Sequence, residues 1–431
     1  MAHLVSNAGY HDLVRRLNRF PQGAPPSDTL FPILKMLFSE KEAGWVSRLP
    51  IRVFSAEQAA KRWSIAPSAA RRRLDDLCRR GLVVDFAYPD GFRYCLPPPM
   101  AGFFEFSMMR LRSDLDQKAL AELLYHYINV EHDFAAALFA RGEIQLGRIF
   151  TKEALLDDPL QLTVLDFERA SHVIRTAGAI ALGICYCRHK MGHLGTACDA
   201  PLELCLTFNH AAAFLIRHGH ARPIESVEAL DVLQRANAHH LVQFGENVRR
   251  EVNFICNCCK CCCEAMQAAR RFALMHPVHA APFVPRVAPD LCSGCGLCAT
   301  HCPVEAIAPA APAPDQPVRA GTARVDVQRC LGCGVCAGVC PNGAITMVEG
   351  PPRVLTPRDT AHRTVLMAIE RGTLPHILLN NASIPGHRLL AVILDVIFRL
   401  PPVQQLLAAH QLQSRYLEWL IDRLRWQPRL Y

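Results

Sequence analysis

Apolar residues recur at helical spacing from early in the chain. Leu30, Ile33, Leu34, Leu37 and Phe38 fall on one side of a helix predicted over Ser27–Phe38. Ser55-Ala-Glu-Gln58 carries the reciprocal capping pattern that starts a helix, predicted over Ala56–Trp63. Pro67 suits a first helical turn, and a third helix follows with Ala70, Leu74 and Leu77 inward. The period then changes. LVVDFAYPDGFRYCLP, residues 82–97, reads as two strands around a Pro-Asp-Gly turn. Residues 103–184 and 206–250 read as helices, and 360–431 is helical with breaks at Pro375, Pro385 and Pro401–Pro402. The apolar run Leu389–Phe398 is interrupted by Asp395 and is far shorter than the ~20 residues of a bilayer span, so core packing is expected there.

Against this background the cysteines stand out. Residues 292–303 read CSGCGLCATHCP and residues 330–341 read CLGCGVCAGVCP. Both are C-x2-C-x2-C-x3-C-P, 38 residues apart. A cubane cluster needs four thiolates converging from different directions, and glycines at 294, 296, 332 and 334 let the backbone wrap closely round it. The pattern resembles the bacterial two-cluster ferredoxins, in which the fourth cysteine of each run crosses to the other cluster. That resemblance assigns Cys292, Cys295, Cys298 and Cys340 to one [4Fe–4S] centre, and Cys330, Cys333, Cys336 and Cys302 to a second. The Pro/Ala-rich stretch 308–321 reads as an insertion between the half-repeats.

A second region lies upstream. Residues 184–206, ICYCRHKMGHLGTACDAPLELCL, place Cys185, Cys187, Cys198 and Cys205 among Arg188, His189, Lys190 and His193. Four such cysteines can form a tetrathiolate site alone, and neighbouring cations offset thiolate charge. Residues 255–263, ICNCCKCCC, add Cys256, Cys258, Cys259, Cys261, Cys262 and Cys263. Cys256, Cys259 and Cys262 share the three-residue step of a ferredoxin loop, and Cys258 and Cys261 repeat it in another phase. The ten thiols suit one or two further iron–sulfur clusters, an unusual cluster with more than four ligands, or zinc. Cys78 and Cys95 are isolated and read as core.

These two segments resemble a group of bacterial iron–sulfur proteins that join a helix-turn-helix-like N-terminus to a CYCRHK…C…PLELCL region, then FICNCCxCCC and a two-cluster ferredoxin module. The resemblance covers roughly residues 30–350 and implies a multicluster redox protein. A looser similarity is to heterodisulfide-reductase subunits, where paired cysteines hold a cluster that cleaves a disulfide. This chain departs from their CCG pattern, having Lys or Glu after its cysteine pairs.

The N-terminal order of helix, turn, helix and hairpin looks like a winged helix. Arg71, Arg72 and Arg73 would then project where a DNA reader keeps its contacts, although Asp75 and Asp76 dilute that face. His210, His218, His220, His239 and His240 are candidate ligands that are individually more often ordinary hydrogen-bonded residues, and Glu131-His132-Asp133 reads as surface helix.

Composition narrows the reading further. The 431 residues are 51% hydrophobic with a net charge of +8, divided as +6 over 1–100, +5 over 350–431 and −3 between. Neither G-x-G-x-x-G nor G-x4-G-K-[ST] occurs, so no nucleotide or flavin fingerprint is visible. With no secretory signal or spanning segment, clustered cysteines point to a cytoplasmic redox or metal protein rather than to disulfides.

The expected architecture is α+β and multidomain. It has a winged-helix-like domain at 1–100, a mainly helical cysteine-rich domain at 101–285, a ferredoxin-like βαβ-repeat module at 286–350 and a helical extension at 351–431. The expected function is electron transfer between a redox donor and acceptor through two [4Fe–4S] clusters and at least one further cysteine-ligated centre. The alternatives are a redox-responsive DNA-binding regulator and an oxidoreductase subunit acting on a disulfide or other small substrate.

Overall fold

The computed structural model describes residues 7–273, 277–309, 321–351 and 356–380. The described residues fall into two compact units, one drawn from the stretch up to Ile144 with Ala213–Ala221 and the stretch from Asp359 on, the other from Gln145–Ala212 and the stretch between Arg222 and Arg358. The predicted insertion at 308–321 and the apolar run at 389–398 fall largely or wholly outside the described residues.

In the first unit the N-terminal elements follow the predicted order. A helix spans Leu30–Leu37 with Leu30, Ile33, Leu34 and Leu37 buried. Ser55 caps Ala56–Trp63 through a reciprocal Ser55–Gln58 box. Pro67 opens Pro67–Arg79, which buries Ala70, Leu74, Leu77 and Cys78. Strands β1 (Phe54–Ser55), β2 (Val84–Tyr88) and β3 (Gly91–Cys95) form an antiparallel sheet in the order β1-β3-β2. The helix Thr360–Glu370 closes this unit: Val365, Leu366 and Ile369 pack with Ile51 and Ile144. The Glu370 carboxylate accepts from the Ile144 amide at 3.1 Å, and Arg371 donates to the Pro21 carbonyl at 2.7 Å.

The second unit holds all eighteen clustered cysteines. Its centre is a sheet of β4 (Gly147–Phe150), β5 (Ile180–Ile184), β6 (Glu203–Phe208), β7 (Ala221–Pro223), β8 (Val242–Glu246) and β9 (Phe254–Cys258), in the order β4-β8-β9-β6-β5-β7. The expectation of helices throughout 103–184 and 206–250 is corrected here. Runs such as Ile180–Ile184 and Val242–Glu246 are buried, and apolar stretches this short have no period that separates a buried strand from a helix. The middle of the chain is therefore mixed helix and sheet.

Four short strands complete the unit. β10 (Phe283–Val287) pairs antiparallel with β13 (Ile345–Glu349), and β11 (Ile307–Pro309) with β12 (Ala323–Val325). Phe283 and Met347 from this part pack against Leu156 and Val164, with Leu155 and Leu160 alongside.

Candidate metal centres

The two ferredoxin-like runs fold as matching halves. Each loop ends in a left-handed glycine, Gly296 (φ 77°) or Gly334 (φ 76°), that caps a short helix, Leu297–His301 or Val335–Gly338. At these turns a side chain would be strained, so the loop depends on glycine to bring its sulfurs to one side. One hollow is lined by Cys292, Cys295, Cys298 and Cys340. A second is lined by Cys330, Cys333, Cys336 and Cys302. Each thus draws three sulfurs from one half and the fourth from the other.

Backbone amides are aimed at these sulfurs. Ala306 N–H donates to Cys302 Sγ at 3.2 Å and Ala344 N–H to Cys340 Sγ at 3.3 Å, the same four-residue step in each half. Gly332 N–H donates to Cys330 Sγ at 3.4 Å. Burial pushes the Cys330 thiol up to about 11 and Cys333 up to about 12. Groups so reluctant to ionise alone become thiolates when a metal takes the proton's place. Lys152, itself buried, stands beside Cys333 and Cys336, and Thr151 Oγ1 donates to the Gly332 carbonyl at 3.0 Å. The first hollow is the more open one: Cys295 is exposed, and Leu291 and Leu297 expose 54% and 40% of their surface beside it.

Upstream, strand geometry sorts the ten thiols. Cys256 and Cys258 lie two apart on β9 and so share a face. Leu206 opposes Ile255, which brings Cys205 of β6 next to Cys256. β5 ends at Ile184, and Cys185 then caps the helix Tyr186–His193, whose first turn carries Cys187. Cys263 caps the helix Glu264–Arg271. Cys205 hydrogen-bonds to Cys256, Cys256 to Cys258, Cys258 to Cys263, Cys263 to Cys187 and Cys187 to Cys185. Within this row Cys256 is drawn down to about 5 by the donating Cys205 and Cys258 thiols.

The other four converge separately. The sulfurs of Cys198, Cys259, Cys261 and Cys262 all lie within 4.8 Å of one another, with Cys261 and Cys262 at 3.6 Å. Thiol donors from Cys259, Cys261 and Cys262 hold Cys198 far below the usual thiol range. A single zinc with bonds of about 2.3 Å sets its tetrahedral sulfurs roughly 3.8 Å apart, which this cluster matches. A cubane places four irons between its thiolates and needs more room. Among the described residues, no three ferredoxin-type sulfurs come within 4.8 Å.

The three-residue phase read from Cys256, Cys259 and Cys262 does not survive folding. Cys256 is on a strand and faces Cys205, while Cys259 and Cys262 belong to the turn beyond it. Likewise Cys198 leaves Cys185, Cys187 and Cys205 for the turn cysteines.

Charged groups surround both sets. Arg188, buried, donates to Pro201 O at 2.7 Å and Asn257 O at 3.4 Å, hydrogen-bonds to Cys198 and stands near Cys185 and Cys259. Lys190 Nζ lies 2.7 Å from Glu264 Oε1, with both side chains buried. Lys260 Nζ donates to Thr300 O at 3.2 Å, which ties the turn to the ferredoxin-type part. Glu264 and Lys152 were not among the sequence candidates. Glu264 is signalled only by its place after Cys263, and Lys152 lies too far along the chain to carry any signal.

Among the described residues the four-sulfur group contains no histidine. His218 instead lies with Cys78 and Asp85, its Nε2 2.8 Å from one Asp85 oxygen while Arg217 faces the other. His240 packs edge-on against His301 at 5.0 Å. His132 and Asp133 are exposed on the helix His132–Phe139. Of the three arginines, Arg73 packs over Trp45 at 3.8 Å and Arg71 over Phe92 at 5.7 Å.

Among the described residues no helix is long and apolar enough to cross a membrane. No curated protein and no solved structure matches the chain. Residues 291–344 match the 4Fe-4S dicluster domain family, and with its cysteine-lined hollows the chain is an iron–sulfur protein with a role in electron transfer.

Proposed function

We propose that this protein passes single electrons between a redox donor and an acceptor through two [4Fe–4S] clusters, and that it carries a further cysteine-ligated centre. Cys292, Cys295, Cys298 and Cys340 would hold the first cluster, and Cys330, Cys333, Cys336 and Cys302 the second. Cys198, Cys259, Cys261 and Cys262 would hold the further ion. Clusters of this kind supply one-electron transfer when bound. The observation that carries the reading is the exchange of the fourth cysteine between the halves, which gives each hollow four sulfurs.

The chain's own groups support that role. Amides from Ala306, Gly332 and Ala344 donate to sulfur, which favours the more negative sulfur of a reduced centre. Exposed Cys295, Leu291 and Leu297 offer a small apolar face of the kind used by transient redox partners. The order of elements over residues 54–95 supports a winged-helix-like reading of the N-terminal part. Arg73 is there committed to Trp45, which favours packing over nucleic-acid contact.

The test is paramagnetic resonance at low temperature on the anaerobically reduced full chain. Two interacting low-spin centres are expected. A signal from neither hollow, in protein loaded with iron and sulfide, would overturn the reading.

A further inference from the structure

The upstream cysteines are more numerous than one centre can use, and the fold divides them. Four gather round a point small enough for one ion. The remaining six lie in an unbroken row from Cys205 through Cys256, Cys258, Cys263 and Cys187 to Cys185. Neighbours in the row are linked by thiol hydrogen bonds, yet no three of these sulfurs gather within 4.8 Å. The row is therefore an extended basket, wider than the seat of a single ion.

We propose that Cys185, Cys187, Cys205, Cys256, Cys258 and Cys263 form a separate six-thiolate centre that holds one enlarged iron–sulfur cluster, while Cys198, Cys259, Cys261 and Cys262 hold a single tetrahedral ion. The proposal rests on the electron-transfer reading and extends it to a site outside the dicluster segment. The ligand arithmetic decides the size. An ordinary cubane takes four thiolates and would leave two of the six idle. Two cubanes joined at one corner each give up one outer ligand, so six remain.

Three features of the fold suit thiolates at these positions. The face shared by β6 and β9 supplies Cys205, Cys256 and Cys258 from adjacent extended strands. Cys185 and Cys263 each sit at the N-terminus of an eight-residue helix, where the positive end of the helix dipole favours a thiolate. Arg188 hydrogen-bonds to Cys198 and stands near Cys185, so one buried cation offsets charge in both centres.

The experiment uses the full chain, reconstituted anaerobically with ferrous iron and sulfide, and counts iron, zinc and acid-labile sulfide alongside Mössbauer spectra. The wild type should carry about sixteen cluster irons, half of them in the dicluster segment, plus one tetrahedral ion. Cys258→Ser and, independently, Cys205→Ala should lose roughly half of the cluster iron and leave the dicluster resonance unchanged. Cys261→Ala should lose the single ion and no sulfide. Four irons lost instead of eight in Cys258→Ser would overturn the enlarged cluster, as would a wild-type total of about eight or twelve. Equal sulfide losses in Cys258→Ser and Cys261→Ala would overturn the division into two centres. The wild-type count does not depend on any variant folding. A missing dicluster resonance with the other iron retained would strike the electron-transfer reading alone.

Discussion

Lys190 Nζ and Glu264 Oε1 meet at 2.7 Å in the interior of the second unit. The contact links the two helices that begin beside Cys185 and Cys263. Removing the ammonium leaves a carboxylate in low dielectric facing Cys187, and breaking one partner of a buried pair typically costs ~3–5 kcal/mol. Lys190→Met should therefore unfold at markedly lower denaturant concentration. Lys190→Met with Glu264→Gln should recover a large part of the loss, measured by equilibrium unfolding of both variants under the same anaerobic conditions.

Arg188 provides a test of electrostatic tuning. Its guanidinium hydrogen-bonds to Cys198 and stands near Cys185 and Cys259. A cation beside a centre stabilises the reduced, more negative state. Arg188→Gln should lower the reduction potential of an upstream redox centre by tens of millivolts and leave the two dicluster potentials in place. Potentiometric titration with spectroscopic readout separates them. An unchanged upstream potential would remove Arg188 from the account.

Gly332 and Gly343 form a matched pair. Both are left-handed, at φ 67° and 59°, but a Cβ on Gly332 would run into the Phe283 carbonyl while one on Gly343 meets nothing within 4 Å. Gly343→Ala should cost only the backbone term, about 1–2 kcal/mol. Gly332→Ala should also displace the loop that carries Cys330 and Cys333. Iron retention in the dicluster segment should fall in Gly332→Ala and hold in Gly343→Ala.

In the first unit, His220 is buried against Phe214, and burial, with Arg110, His218 and Arg112 nearby, lowers it to about 3 from 6.5. Between these values the unfolded chain binds the proton and the folded chain does not. Stability is thus full above about pH 6.5 and falls as pH drops toward about 3, by at most roughly 1.4 kcal/mol per pH unit. His220→Phe should flatten that slope in denaturant melts recorded across the window.

How far the sequence carries depends on the range of the interactions. The dicluster cysteines are legible because each half places three sulfurs from one loop, and spacing along a loop is geometry. Ser55 and Pro67 are legible for the same reason, since caps act within one turn. The upstream partition is not. Cys258 and Cys259 are neighbours in sequence, yet a strand end separates them into different groups. Cys205 reaches Cys256 through the pairing of β6 with β9, which a local pattern does not record. Lys152 reaches Cys333 and Cys336 only through tertiary packing.

Iron and acid-labile sulfide per chain, determined on anaerobic wild-type protein together with its reduced-state resonance, bear most directly on the central claim that these sulfurs hold iron for single-electron transfer. The account predicts more than about eight irons with matching sulfide, and two interacting low-spin signals from the dicluster segment. Colourless protein without sulfide, its cysteines free or filled by zinc alone, would contradict it.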